Sequence, residues 1–251
     1  ERSGQDIYIA LDVSTSMLAE DIKPSRLVHA KREILGLIDE LKGDRIGIIA
    51  FAGDAFVQCP LTFDYNALRL FLETLDPTSV GTPGTDIATA IKTARLSFKR
   101  VSQTNKPILV ILSDGESFEN DPVESAKVAS KDNISIYTIG IGTPKGEPIP
   151  QFNATNTLTG YKKDKNNEVI LSQLNEDILK AISQETDGKY FNSNLGSLVI
   201  DNVYKDISLN ENRRLEEQLL KFHKDRYQWP LALAFILLLC DSLLIDRKRK
   251  Q

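Results

Sequence analysis

Residues 7–16 read Ile7-Tyr8-Ile9-Ala10-Leu11-Asp12-Val13-Ser14-Thr15-Ser16. An apolar run of strand length ends there in one carboxylate and two hydroxyls. The run is nearly continuous in large aliphatics rather than alternating, the pattern of a strand buried on both faces of a sheet. Four further runs read the same way: residues 45–51, 55–59, 107–112 and 134–141. Between them lie helical patterns. Leu27, Ala30, Ile34, Ile38 and Leu41 recur at spacings of three and four, as do Ile87, Ala90, Ile91, Ala94, Phe98 and Val101, the signature of helices with one apolar face. Weaker helical stretches cover 65–75 and 122–131, and a clearer one covers 171–185 before a short strand near Tyr190. Strand and helix alternate. The expected fold class is therefore α/β: a doubly wound, mostly parallel sheet with helices on both faces, Rossmann-like, with one antiparallel hairpin edge at 55–59.

In such a sheet the ligand crevice lies beyond the carboxyl ends of the strands. The Asp12–Ser16 loop is at one such end. Ser113-Asp114-Gly115-Glu116 follows the 107–112 strand at another, and Gly81-Thr82-Pro83-Gly84-Thr85-Asp86 opens the third helix. Hydroxyl and carboxylate oxygens without His or Cys nearby are hard donors, suited to Mg²⁺, Mn²⁺ or Ca²⁺ rather than zinc, and Mg²⁺ is the cofactor expected. The alternative is local: Asp12 and Asp114 as loop carboxylates capping helices, Ser14 and Ser16 as turn residues, and Thr85 as the N-cap of a helix over 85–101. Asp86 and Glu116 read as solvated neighbours that add negative potential.

Asp12-x-Ser14-x-Ser16, Thr85 and Asp114, in this order on this alternating pattern, resemble the metal-ion-dependent adhesion site of a von Willebrand factor A domain. The longer stretch through Pro60, including the 18–27 segment, Gly43-Asp44-Arg45 and Ala50 to Asp54, resembles the Bat aerotolerance branch of that superfamily. The resemblance implies that Ser14 and Ser16 bind a divalent cation directly, that Thr85 does so in at least one state, and that Asp12 and Asp114 act directly or through water. It also implies a partner protein that offers an acidic side chain to the metal, other Bat proteins nearby, and a MoxR-type ATPase. A first shell rich in neutral hydroxyls leaves the cation residual positive charge for that partner carboxylate.

Composition sets the outer limits. The chain has 251 residues, 31 basic and 35 acidic, for a net charge of −4, and no basic stripe, so a nucleic-acid partner is not expected. Two cysteines, Cys59 and Cys240, make neither a disulfide framework nor a zinc site. His29 and His223 lack a second soft ligand at useful spacing and read as structural.

Residues 231–245 are almost wholly apolar, follow Trp229 and Pro230, and precede Arg247-Lys248-Arg249-Lys250. As helix the run spans only about 22 Å against a hydrocarbon core of about 30 Å, so the flanking residues must complete it. Asp241 counts against a span, and a buried core helix is the competing reading. If it spans, the basic tail stays cytoplasmic and the A domain lies on the periplasmic side of a bacterial inner membrane. The chain begins at Glu1 with no Met or signal peptide, which reads as a fragment whose own targeting or membrane segment has been removed.

The domain reading is an A domain over 6–195 with an inserted loop and hairpin at about 143–170, an amphipathic helical stalk over 196–228, a transmembrane helix over 229–246 and a basic tail over 247–251. The function expected is a non-catalytic, metal-dependent protein-binding module. One alternative is a structural membrane scaffold that captures no ligand. A Mg-dependent phosphohydrolase is the other. Phosphoaspartyl chemistry needs a second acid two positions after the first, and that position holds Ser14.

Overall fold

Strand β1 (Asp6–Asp12) is buried along its whole length, as are β4 (Ile108–Ser113) and β5 (Ser135–Gly140). That is why their sequences are continuous in Ile, Leu and Val. The other main elements in chain order are α1 (Arg26–Glu40), β2 (Arg45–Phe51), β3 (Ala55–Thr62), α2 (Tyr65–Thr74), α3 (Ile87–Lys99), α4 (Pro122–Lys131), α5 (Glu176–Gln184) and β10 (Tyr190–Asn192). The computed structural model describes residues 4–41, 43–101, 106–117, 120–153, 155, 157–193, 199, 201–210, 232, 234, 235 and 237.

Six strands form one sheet in the order β10-β5-β4-β1-β2-β3. All neighbours are parallel except β2 and β3, which pair antiparallel. Tyr8 and Ala10 of β1, Ile49 and Phe51 of β2, and Leu109 and Ile111 of β4 share one apolar cluster with α3, α4 and α5. Each fully buried Ile or Leu there contributes roughly 1.5–3 kcal/mol. Tyr8 meets Phe98 of α3 edge to face, with ring centroids 5.0 Å apart. Ile7, Ile9 and Leu11 point to the opposite face, because side chains alternate along a strand. There α1 and α2 pack on β1 and β2.

This arrangement fixes where a site can form. From β1 the chain crosses through α1 to β2 on one side, whereas β4 lies on the other side and continues through α4 to β5. The loops after β1 and β4 therefore diverge and leave a crevice between them. The two strands run in register, Leu11 opposite Leu112, so the residues that follow emerge at the same height.

Helix starts follow local chemistry. Ser25, Asp64, Asp86, Asp121 and Asn175 each accept backbone N–H groups at the head of α1, α2, α3, α4 and α5. The third helix begins at Ile87, where the apolar spacing starts, and its cap is Asp86 rather than Thr85, the cap in the alternative reading. Asp86 is also buried, and its carboxylate accepts from Thr89 Oγ1 and Asn120 Nδ2, so it is not the solvated neighbour that its sequence position implied.

Between β5 and α5 two short antiparallel pairings form. β6 (Glu147–Pro148) pairs with β9 (Leu171–Ser172), and β7 (Pro150–Phe152) with β8 (Leu158–Tyr161). A bridge from Lys163 to Val169 closes the turn whose residues Asn166 and Glu168 donate backbone N–H groups to Asp164 Oδ1. Cys59 is a free, buried thiol in β3, and Cys240 lies outside the described residues.

The chain divides into two compact units, Glu1–Tyr204 and Lys205–Gln251. Residues 201–210 are helical, and in the first unit Val199 and Val203 are buried. Residues 211–228 of the expected stalk lie outside the described residues, as does nearly all of the expected span at 229–246. Among the described residues no helix is long and apolar enough to cross a membrane.

Candidate metal centre

At the end of β1 the chain is turned by its own side chain. The backbone N–H of Ser14 donates to Asp12 Oδ1 at 2.9 Å, and Val13 N still donates to Phe51 O across the sheet. A single 3-10 turn over Thr15–Leu18 follows, with Met17 buried beneath it. The two serine hydroxyls are brought together, Ser14 Oγ to Ser16 Oγ at 2.9 Å. From β4, Ser113 Oγ donates to Asp12 Oδ2 at 2.6 Å. The Ser16 hydroxyl also stabilises the Asp114 carboxylate. Asp12, Ser14, Ser16 and Asp114 therefore form one connected group, all buried.

Asp114 sits on a backbone that only glycine can continue. Gly115 has φ +76, and a Cβ there would come within 2.4 Å of Asn175 O. The close approach is used: Asn175 N donates to Asp114 O at 2.8 Å. Asp114 Oδ1 takes the N–H of Glu116, while Oδ2 takes Arg26 Nη1 at 3.1 Å and Ser172 Oγ at 3.3 Å.

The two carboxylates differ in their compensation. Asp114 has the Arg26 guanidinium, although burial outweighs it and keeps the carboxyl above its ordinary range. Asp12 forms no ion pair among the described residues, and burial followed by the nearby Asp114 charge pushes it up to about 7. A buried carboxylate without a counter-ion is costly. A divalent cation between the two loops would supply the missing charge, which is the physical test that this donor set meets.

Thr85 is buried in the loop ahead of α3, but its hydroxyl forms no hydrogen bond to the other four residues. Its loop is held through the backbone to the turn between β2 and β3: Asp86 N donates to Ala52 O at 2.7 Å and Gly53 N to Thr82 O at 3.2 Å. A cleft of about 340 Å³ lies where this loop meets the first, lined by Ser14 and Thr15 on one side and by Val80, Thr82 and Pro83 on the other. Among the described residues no group of three or more His, Cys, Asp or Glu side chains gathers. Hydroxyls must therefore supply much of any cation's shell, which favours a hard ion over a soft one.

Residues 7–116 match the von Willebrand factor type A domain family. The crystal structure of conserved hypothetical protein BatB from Bacteroides thetaiotaomicron is 39% identical, superposes with a TM-score of 0.76, and aligns over 82% of this chain and 98% of that one. The chain belongs to the Bat family of von Willebrand factor A proteins. An aerotolerance-related membrane protein from Bacteroides fragilis is 36% identical with a TM-score of 0.74, over 82% of this chain and 99% of that one. Among curated sequences, an uncharacterized protein of Borreliella burgdorferi is 30% identical over 94% of this chain and 67% of its own length.

Several residues around the candidate site of this Bat-family chain carry no motif that marks them in the sequence. Arg26, at the first position of α1, is fully buried and reaches Asp114. A cation at a helix N-terminus opposes the dipole, which is the one local signal that it serves something other than the helix. Lys162 of the inserted segment donates to Thr15 Oγ1 at 2.9 Å, a contact between residues far apart in sequence. Glu116, half-buried, accepts from Gln173 N, and burial followed by Asp114 raises its pKa. Among the described residues His29 has no second soft ligand; its Nε2 lies 2.5 Å from Ser193 Oγ and 3.4 Å from Glu33.

Proposed function

We propose that this chain is a non-catalytic docking module in which Asp12, Ser14, Ser16, Thr85 and Asp114 hold a divalent cation, Mg²⁺ first, that captures an acidic side chain of a partner protein. The carrying observation is the pairing of an uncompensated buried carboxylate, Asp12, with a hydroxyl pair at the switch point of the sheet. A cation held largely by neutral oxygens keeps charge to offer outward. Ser25 and Asp86 cap α1 and α3, so neither helix needs Asp12 or Thr85 as its cap, which supports this reading. Phosphoaspartyl chemistry is disfavoured by Ser14, which stands where a second acid is needed and bonds Ser16 instead.

In the same proposal residues 229–246 anchor the module in a bacterial inner membrane, with the A domain on the periplasmic side and residues 247–251 in the cytoplasm. The apolar run and the basic tail support this, and the Bacteroides fragilis relative is described as a membrane protein. Other Bat proteins and a MoxR-type ATPase are the proposed assembly. A scaffold that captures nothing is the alternative. The test is affinity capture on the immobilised full chain from detergent-solubilised envelope of the source bacterium, in Mg²⁺ and in chelator, with Asp12→Ala alongside. Capture of the same protein in Mg²⁺ only, lost in Asp12→Ala, supports docking. Equal capture in all four conditions leaves the scaffold.

A further inference from the structure

Arg26 spends all five of its N–H donors inside the protein. Nε and Nη2 each donate to the Asp21 carboxylate at 2.8 Å, one to each oxygen. Nη2 also reaches Ser172 O at 3.0 Å, and Nη1 reaches Ser172 Oγ at 2.6 Å and Asp114 Oδ2 at 3.1 Å. The planar fork thus ties three separate pieces of chain: the segment ahead of α1, the loop after β4, and strand β9 at the return of the inserted segment. No surface role is left to it, because the side chain is fully buried.

Both ends of the insert hang on this fork. Ser172 is bound directly. Thr143, at the outgoing end, donates through its N–H at 2.7 Å and its hydroxyl at 3.0 Å to the Asp21 oxygen that Arg26 also holds. Thr143 O in turn accepts Leu174 N at 3.1 Å and closes the neck. Gly142 has φ +128, and a Cβ there would come within 2.8 Å of the guanidinium carbon, so the backbone passes as close to Arg26 as it can. Farther along the insert, Lys162 touches Thr15, between the two serines of the metal loop.

We propose that Arg26 is the positioning residue of the metal centre and that through it the inserted segment senses whether the centre is occupied. This rests on the metal-site reading above. Arg26 is anchored by Asp21 at 2.8 Å and by Ser172 at 2.6 Å, while its bond to Asp114 and that of Ser172 to the same oxygen are the longest of the group, at 3.1 and 3.3 Å. The fork therefore sets the plane of the Asp114 carboxylate without fully saturating it. A cation drawn to Asp114 acts on the carboxylate whose Oδ2 accepts from both Arg26 and Ser172, so the two states of the site stabilise the neck to different degrees, which is what coupling requires.

The test uses the full chain in detergent, with Mg²⁺ alone as the probe, in wild type, Arg26→Lys and Ser172→Ala. Lysine keeps the charge and loses the fork; alanine keeps every charge and removes one hydroxyl, so it covers the case in which Arg26→Lys does not fold. Two readouts are taken: the Mg²⁺ dissociation constant by calorimetry, and hydrogen exchange at Thr143 and Leu174 compared with α4. The expected result is slower exchange at the neck with Mg²⁺ in wild type, loss of that response in both variants, and Mg²⁺ binding weakened by about tenfold, the scale of lost support around a ligating group. Wild-type affinity in Arg26→Lys and Ser172→Ala, or a neck indifferent to Mg²⁺ in a wild type that binds it, overturns the proposal while sparing the metal site. A wild type that binds no Mg²⁺ overturns both.

Discussion

Ser113 Oγ and Asp12 Oδ2 lie 2.6 Å apart, and this bond joins the carboxyl ends of the two strands that flank the switch point of the sheet. It uses one oxygen of Asp12 while Ser14 N uses the other, so the carboxylate is fixed in place although no basic side chain among the described residues pairs with it. Position is supplied by the fold; charge balance is left open.

Neutralising Asp12 should therefore not weaken the metal-free protein. Asp12→Asn, measured by thermal melting in chelator, is expected to have a midpoint at or above that of wild type, because a buried charge without a partner is removed. The same variant should gain nothing from Mg²⁺. A metal-free midpoint several degrees below wild type would show that the carboxylate is already compensated.

The Asp21–Arg26 pair makes the opposite prediction. Burial alone would raise the Asp21 carboxyl, but its hydrogen bonds to Arg26 and the guanidinium charge, with Thr143, hold it below its ordinary value of 3.8. A lowered folded-state pKa contributes stability above the unfolded value, lost as pH falls through the folded one. Asp21→Asn should cost about 3–5 kcal/mol at pH 7, the range for breaking a buried pair. The gap in urea midpoint between wild type and variant should persist to about pH 4 and narrow below it. A gap that does not depend on pH would assign the loss to packing.

Gly142 is constrained twice, by φ +128 and by the 2.8 Å approach of its missing Cβ to Arg26 Cζ. Gly142→Ala is expected to destabilise by about 1–3 kcal/mol in urea titration, from backbone strain alone or more with the contact. Gly81, where a Cβ meets nothing within 4 Å, is the control, and Gly81→Ala should fall within about 0.5 kcal/mol of wild type. Equal effects at the two positions would remove the packing argument for the insert's neck.

Lys162 is half-buried and stands beside the Asp12–Ser16 loop through Thr15. Lys162→Glu should leave stability within about 0.5 kcal/mol and slow association with an acidic partner, an effect that shrinks as salt is raised. Surface plasmon resonance with the protein captured in Mg²⁺ would measure it. An unchanged association rate at low salt would place the partner away from the insert.

The alternating strands and helices were legible because full burial imposes continuous apolar runs on β1, β4 and β5 and a three-and-four spacing on α1 and α3. Asp12, Ser14, Ser16 and Asp114 were legible for a related reason: polar groups directly after such runs must sit where the strands end, at the carboxyl side of the sheet. Thr85 and Asp86 were harder, since either can cap a helix and adjacent positions give no local signal for which one does. Arg26 was hidden, because its five bonds reach residues as far as Ser172, and pairing at that distance leaves no local periodicity. The β7–β8 pairing was hidden too; with Phe152 and Leu158 both exposed, no buried face imposes an alternating pattern.

The most direct measurement is an isothermal titration of the chelator-treated full chain with Mg²⁺, repeated with Mn²⁺, Ca²⁺ and Zn²⁺, with Asp12→Ala beside wild type. One saturable site for Mg²⁺ in wild type, absent in Asp12→Ala, with a matching rise in melting midpoint, is the result expected from a buried carboxylate awaiting a hard cation. A folded wild type that takes up none of the four ions, or an Asp12→Ala variant that binds Mg²⁺ as tightly as wild type, overturns it.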